Sequence, residues 1–208
     1  MKTNDSLRFE RVTDTTHSMY EQALQLYQIS FPSHEQREAA SQAEILRDNE
    51  YHFDLIYEGH VFVGLMLYWT TRDFIYVEHF CILPEMRNRK YGKRALELLG
   101  QQEEIVILEI DPPIDEVSIS RKGFYERSGF VENPYSHIHP PYHKKNSGHD
   151  LLIMSYPVKI TQAEYDRFHH YLEHHVMRYD LSRIFSPEIT MDSFSTPNYN
   201  NSQRAQSI

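Results

Sequence analysis

Apolar positions along this chain change period several times, and each change marks an element. Leu7-Arg8-Phe9-Glu10-Arg11-Val12 reads as a strand. Tyr20, Leu24 and Tyr27 then recur at helical spacing, and the pattern halts at Ser30-Phe31-Pro32. Ser33 to Gln36 fits a capping box opening a second helix, with Ala39, Ala40, Ala43 and Leu46 turned inward. Tyr51 to Glu58 and Val61 to Trp69 flank Gly59-His60 and predict an antiparallel hairpin. Phe74 to Leu83 alternates only weakly, as a strand buried on both faces should. Val106-Ile107-Leu108-Glu109-Ile110 is a further strand with one carboxylate inside it, and Gly148 to Pro157 reads as a closing strand. Gly123 to Phe130 reads as a helix end, with Gly129 in the left-handed region and a strand beginning at Phe130.

The predicted order is β-α-α-β-β-β-α-β-α-β-β-α. Thr161-Gln162-Ala163-Glu164 is a capping box for the last helix, whose apolar face is Tyr165, Phe168, Leu172 and Val176. Residues 111–117 form a proline-bearing connection, and 134–148, with Pro140-Pro141 and three histidines, a long surface loop. From Leu181 the composition turns to Ser, Asn, Thr and Gln. The organisation expected is therefore one domain over 1–160, a helix over 161–180 on or beside it, and a mobile or strap-like tail over 181–208. Ile184, Phe185, Ile189, Met191 and Phe194 are the residues that would make the tail a strap.

Composition narrows the class. A hydrophobic content of 40% supports a core, and no apolar run is long enough for a transmembrane helix. The start, Met1-Lys2-Thr3-Asn4-Asp5-Ser6, lacks the apolar centre of a signal peptide, so a cytoplasmic location is expected. Cys81 is the single cysteine, which excludes an internal disulfide and a cysteine-based zinc site. A formal net charge of -9 argues against nucleic acid as a partner.

Against that acidic balance, five of the eight residues from Arg87 to Arg94 are Lys or Arg. They follow an apolar strand that stops at Pro84, and they open directly into the helical pattern Ala95-Leu96-Glu97-Leu98-Leu99. Unpaired N–H groups of a first helical turn, with the helix dipole and added cations, make a cradle for phosphate.

Arg87, Lys90 and Gly92 stand at i, i+3 and i+5, and the loop resembles the Arg/Gln-x-x-Gly-x-Gly/Ala loop of the GNAT acetyltransferase family. Lys90 departs from that pattern, standing where the family usually has its first glycine. Gly123-Phe124-Tyr125-Glu126-Arg127-Ser128-Gly129-Phe130 resembles the Phe-Tyr-x-x-x-Gly-Phe element of the same family. Leu108-Glu109-Ile110 and the terminal Ile153-Met154-Ser155-Tyr156-Pro157 are similar to the branch that includes ribosomal-protein N-terminal acetyltransferases. The resemblance covers residues 7–157. It implies an α/β (α+β) fold: a single domain with a mixed, mostly antiparallel sheet of about seven strands flanked by helices.

The resemblance also implies a reaction and its parts. An acetyl group would pass from acetyl-CoA to an amine by direct transfer in a ternary complex. Main-chain groups near Cys81, Ile82 and Leu83 would hold the pantetheine arm, and Arg87, Asn88, Arg89, Lys90, Tyr91, Gly92 and Lys93 the pyrophosphate. Tyr125 would stand near the thioester sulfur and protonate the leaving thiolate, since a phenol's reference pKa of about 10 lies above a thiol's. The amine's proton has two candidate acceptors, Glu109 and Glu78. The acceptor itself would be a small molecule, a peptide N-terminus or a lysine, and a homodimer is the family-level expectation.

Three alternatives bear on this. Cys81 invites a covalent route, but no His and Asp or Asn arrangement supports it, and a small buried hydrophobe is the expected role. The replaced glycine at Lys90 fits a noncatalytic acyl-CoA-binding regulatory module. Thirteen histidines, with His170 and His174 at i, i+4 and His137, His139 and His143 together, fit a metal-binding scaffold. Without carboxylate ligands at fixed spacing, surface histidines and no metal are the expectation.

Overall fold

A computed structural model describes residues 6–102 and 104–180. The strands are β1 (Leu7–Val12), β2 (Tyr51–Glu58), β3 (Val61–Thr70), β4 (Phe74–Ile82), β5 (Ile105–Ile110), β6 (Val131–Glu132), β7 (His137–His139) and β8 (His149–Tyr156). The helices are α1 (Tyr20–Ser30), α2 (Ala39–Ile45), α3 (Tyr91–Leu99), α4 (Glu116–Arg127) and α5 (Gln162–His174). The sheet runs β1-β2-β3-β4-β5-β8-β6, with β7 added beside β8. Among the described strands only β4 and β5 pair in parallel, so this is the mixed, mostly antiparallel sheet that the resemblance implies.

Two apolar layers cover the sheet. On one face Tyr27 of α1, Phe168 and Leu172 of α5 and Trp69 of β3 share a cluster with Tyr76 and Cys81 of β4. On the other, Ala95, Leu96 and Leu99 of α3 and Tyr125 of α4 pack with Val77, Phe80 and Leu108. β4 is thus buried on both sides, which explains its weak alternation. Helix α5 begins with the predicted capping box: Thr161 N–H donates to Glu164 Oε2 at 2.6 Å, and Glu164 N–H to Thr161 Oγ1 at 3.4 Å.

The sheet opens where function is expected. Leu67 pairs with His79 and Tyr68 with Val77, which leaves Glu78 as the extra residue of a bulge in β4. Pairing of β4 with β5 ends at the same level, at Val77 and Leu108. Beyond it β4 continues to Ile82 and β5 to Ile110 without bonding to each other. The gap between two diverging parallel strands is the cleft on which the site is built.

Three expectations are corrected. Ser33–Glu35 is a 3₁₀ turn, the chain is extended at Gln36, and α2 begins only at Ala39. The reason is Arg37: its N–H donates to Tyr27 Oη at 3.0 Å and its guanidinium reaches Glu78, contacts that hold it outside a helix. Ala39 and Ala40 are exposed, and Ser41, Gln42 and Ile45 face inward. Second, 134–148 is not wholly a surface loop. β8 projects past β5, and its free edge at His149 to Leu151 pairs with β7. Third, His137 and His139 are buried, 3% and 6% exposed, where surface histidines were expected. The expected tail, 181–208, lies outside the described residues.

Candidate active site

The basic loop begins where β4 ends. A short 3₁₀ turn, Pro84–Met86, leads to Asn88 and Lys90, both in the left-handed region at φ 62° and 65°. Lys90 is the N-cap of α3 and no side chain caps the helix, so the first-turn N–H groups at Tyr91, Gly92 and Lys93 stay available to an anion. Gly92 is buried, and a Cβ there would stand 3.1 Å from Phe124 Cζ, so glycine lets α3 lie close against α4. A groove of ≈ 740 Å³ runs here between the α3 N-terminus and α4. Its walls include Ile82, Arg87, Lys90, Lys93, Ser120 and Arg127.

Main-chain geometry decides which strand positions face this groove. Leu83 N–H donates to Val63 O at 2.9 Å, so in the antiparallel ladder Cys81 and Leu83 turn their polar groups toward β3. Phe80 and Ile82 turn theirs to the side that β5 vacates. Ile82 lines the groove, and Arg87 Nε donates to its carbonyl at 3.3 Å. Arg89 is exposed, its guanidinium 3.7 Å from Met86 Sδ.

A second cavity, ≈ 420 Å³, occupies the gap between the diverging strands. Glu78, His79 and Phe80 form one wall and Glu109, Ile110 and Asp111 the other. Residues 139–142 and 145–147 cover it, and Phe31, His34 and Glu35 stand at its edge. Tyr125 lines this cavity, its neighbour Phe124 lines the groove, and Arg121 lines both. One helix, α4, therefore separates the two spaces and touches each.

Both carboxylates named from the sequence are buried and engaged. Glu78 accepts Arg37 Nη2 at 2.9 Å, Tyr142 Oη at 2.7 Å and Trp69 Nε1 at 2.9 Å. Burial would raise its pKa, but Arg37 foremost, then His79 and these hydrogen bonds, bring it below the usual carboxylate range. Glu109 accepts from Tyr76 Oη and is bonded to His137 Nε2. Burial opposes its ionisation too, yet His139, His137 and the two hydrogen bonds hold its pKa down at about 2. Each carboxylate is a fixed negative charge at neutral pH. Tyr125 goes the other way: burial pushes its phenol up to about 12, so it keeps its proton. The Cys81 thiol, fully buried, is likewise pushed up to about 12, consistent with a packing role.

Two imidazoles complete the cavity wall. His79 Nε2 is 2.9 Å from Glu35 O and His139 Nδ1 2.6 Å from Pro140 O. Carbonyls only accept, so those nitrogens carry hydrogens. Neither His79 Nδ1 nor His139 Nε2 has a hydrogen-bond partner among the described residues. Burial lowers the pKa of both rings and favours the neutral form. His139 Nε2 also stands 3.9 Å from Glu109 Oε2.

The structure thus brings Glu78, Glu109 and Tyr125 around one cavity and places Ile82, Arg87, Asn88, Lys90, Tyr91, Gly92 and Lys93 along the adjoining groove. Cys81, Leu83 and Arg89 line neither. Sequence reasoning missed Arg121 and His139 as parts of the site. His170 and His174 stack at 4.2 Å on α5, with His174 Nδ1 3.0 Å from His170 O.

Comparison with known proteins agrees with this architecture. The model of the Acetyltransferase (GNAT) family matches residues 16–130. A protein from Bacteroides thetaiotaomicron, described as a GNAT-family acetyltransferase, is 30% identical, with 82% of this chain and 98% of that one covered and a TM-score of 0.77. An acetyltransferase from Bacillus subtilis in complex with CoA is 13% identical, covering 72% and 97% of the two chains at a TM-score of 0.50. The ribosomal-protein-S18-alanine N-acetyltransferase from Escherichia coli is 11% identical, covering 74% and 96% at 0.51. At those identities the last two show the shared fold. No curated protein matches. The chain belongs to the GNAT acetyltransferase family and is an acyltransferase.

Proposed function

We propose that this enzyme moves the acetyl group of acetyl-CoA to the primary amine of a small molecule, by direct transfer with both substrates bound. The observation that carries the reading is the cavity of ≈ 420 Å³ that meets the basic groove at α4, with Tyr125 on its wall and Arg121 lining both spaces. That volume suits a small ligand rather than a polypeptide.

The residues have separable tasks. Lys90, Lys93 and the first-turn N–H groups of α3 hold the pyrophosphate, and Phe80 and Ile82 offer main-chain groups to the pantetheine arm. Acetyl-CoA supplies the activated acyl group. Tyr125, which keeps its proton, donates it to the thiolate as the C–S bond breaks. Glu109 puts a negative charge at the cavity wall that draws in a cationic amine, while the charge of Glu78 is paired with Arg37. The amine gives one proton to solvent through water before it attacks the thioester carbonyl, and the second, lost as the amide forms, replaces the one Tyr125 gave to the thiolate. His79 and His139 line the same cavity.

The test is the rate of CoA release with a panel of small primary amines and with peptides bearing free N-termini and lysines. Turnover confined to small amines supports the reading, and turnover on peptides alone would contradict it. With an accepted amine, Tyr125→Phe should lower kcat by about 100-fold, the scale of a lost general acid, while leaving acetyl-CoA affinity within about twofold. An unchanged kcat would remove Tyr125 from the reaction.

A further inference from the structure

The notable feature left over lies at the edge of the covered cavity, where three side chains from distant parts of the chain converge. His34 and Glu35 come from the 3₁₀ turn after Pro32, and His149 opens β8. One donor atom from each lies within 4.8 Å of the others. We propose that these three residues bind a single divalent first-row transition ion, zinc being the representative, beside the entrance to the acceptor cavity.

The donor set fits that class of ion. Two imidazoles and a carboxylate suit zinc and its neighbours, whereas magnesium and calcium prefer sites made of oxygen alone. Two ligands on one tetrahedral zinc stand about 3.4 Å apart when each bond is about 2.1 Å. His34 Nε2 and Glu35 Oε1 are already 3.5 Å apart. All three side chains are partly exposed, between 21% and 35%, so χ rotation can bring the third donor in.

The backbone beneath the site is held. The His79 ring donates to the Glu35 carbonyl at 2.9 Å and pins the turn that carries two of the ligands. Across from it, a Cβ at Gly148 would stand 2.5 Å from Ile138 Cγ2, so glycine is what allows the start of β8 to lie against β7. Asp111 Oδ1 lies 3.4 Å from His149 Nε2, and Arg121 Nη1 holds the other oxygen at 2.8 Å. A carboxylate behind a histidine, itself anchored, is the arrangement that fixes ring orientation at metal centres.

A second three-residue group, Asp48, Glu50 and His175, has the same spacing but a different environment. There Arg178 Nη2 sits 2.8 Å from Asp48 Oδ2 and Tyr179 donates to the same oxygen, so a cation already fills the place of an ion. That group serves as the internal control. At the His34 site three protein ligands leave coordination positions open, and His34, Glu35 and His149 all line the cavity. An ion there obstructs acceptor entry or ligates the acceptor's own donor atoms.

The site does not depend on acetyl transfer, and its test needs neither cofactor nor turnover. The metal-free full chain is titrated calorimetrically with zinc chloride, and with magnesium chloride as the contrast. The expected result is one zinc ion per chain, no saturable magnesium binding, and affinity reduced at least about tenfold by His34→Ala and by His149→Ala. Asp48→Asn should leave zinc affinity unchanged. His34 lies on a partly exposed turn, so His34→Ala decides the matter if His149→Ala fails to fold. Absence of saturable zinc binding, or wild-type affinity in His34→Ala, would overturn the proposal, the latter by assigning the ion to other histidines.

Discussion

Lys90 occupies a backbone conformation that favours glycine, at φ 65°, and Asn88 just before it does the same at 62°. A left-handed non-glycine residue costs about 1–2 kcal/mol. Strain of this kind persists where the surrounding structure gains from it, here by aiming first-turn N–H groups and an ammonium into the groove. Lys90→Gly removes the strain but gives the unfolded chain about 0.4–1 kcal/mol more entropy to lose. Stability should therefore stay equal or rise by up to about 1.6 kcal/mol in urea titration. A loss of more than that would mean the Lys90 side chain holds the fold. Glu78 supplies a prediction of the opposite sign. Its folded pKa lies below the unfolded value of about 4.3, so its contribution is complete above that value and lost as pH falls through the folded one. Glu78→Gln leaves Arg37 buried and uncompensated, at a cost of about 3–5 kcal/mol at pH 7. Urea midpoints measured from neutral to acid pH should then fall less steeply in Glu78→Gln than in the wild type. Parallel acid limbs would contradict the pairing.

At the scale of elements, local signals were readable and long-range ones were not. The hairpin of β2 and β3 follows from period-two runs around Gly59-His60, and α5 from a capping box within four consecutive residues. β7 is three residues long and is defined by its pairing with β8 alone. Its one signal, the alternation His137-Ile138-His139, is masked by Pro134 and Pro140 on either side. The same division runs through the site. The basic loop, Tyr125 and Glu109 lie in contiguous motifs, whereas Arg37 joins the site only by crossing from the α1–α2 connection to the bulge in β4. Helix α5 is fastened to the sheet largely by Phe168, fully buried with its ring centroid 5.1 Å from Tyr76 and 5.8 Å from Phe74. Phe168→Ala should cost about 3–5 kcal/mol. A cost below about 1 kcal/mol in chemical denaturation would mean that α5 is not part of the cooperative fold.

Across the whole molecule, one bulge organises function. Glu78 is the residue β3 cannot match, and at its level β4 leaves β5 and the sheet divides. The basic groove and the cavity both descend from that division, and α4 lies between them. The charge distribution follows the same plan. A chain of net charge -9 concentrates cations at the α3 N-terminus and places Glu78 and Glu109 on the wall of the neighbouring cavity. No helix among the described residues is long and apolar enough to cross a membrane.

The most direct test of this account is calorimetric titration of the purified chain with acetyl-CoA and with free CoA. Saturable micromolar binding at one site per chain is predicted, weakened by added salt and by Lys90→Glu. Absence of binding at millimolar cofactor, or binding indifferent to Lys90→Glu, would contradict it: the basic turn at the start of α3 would then not be the cradle.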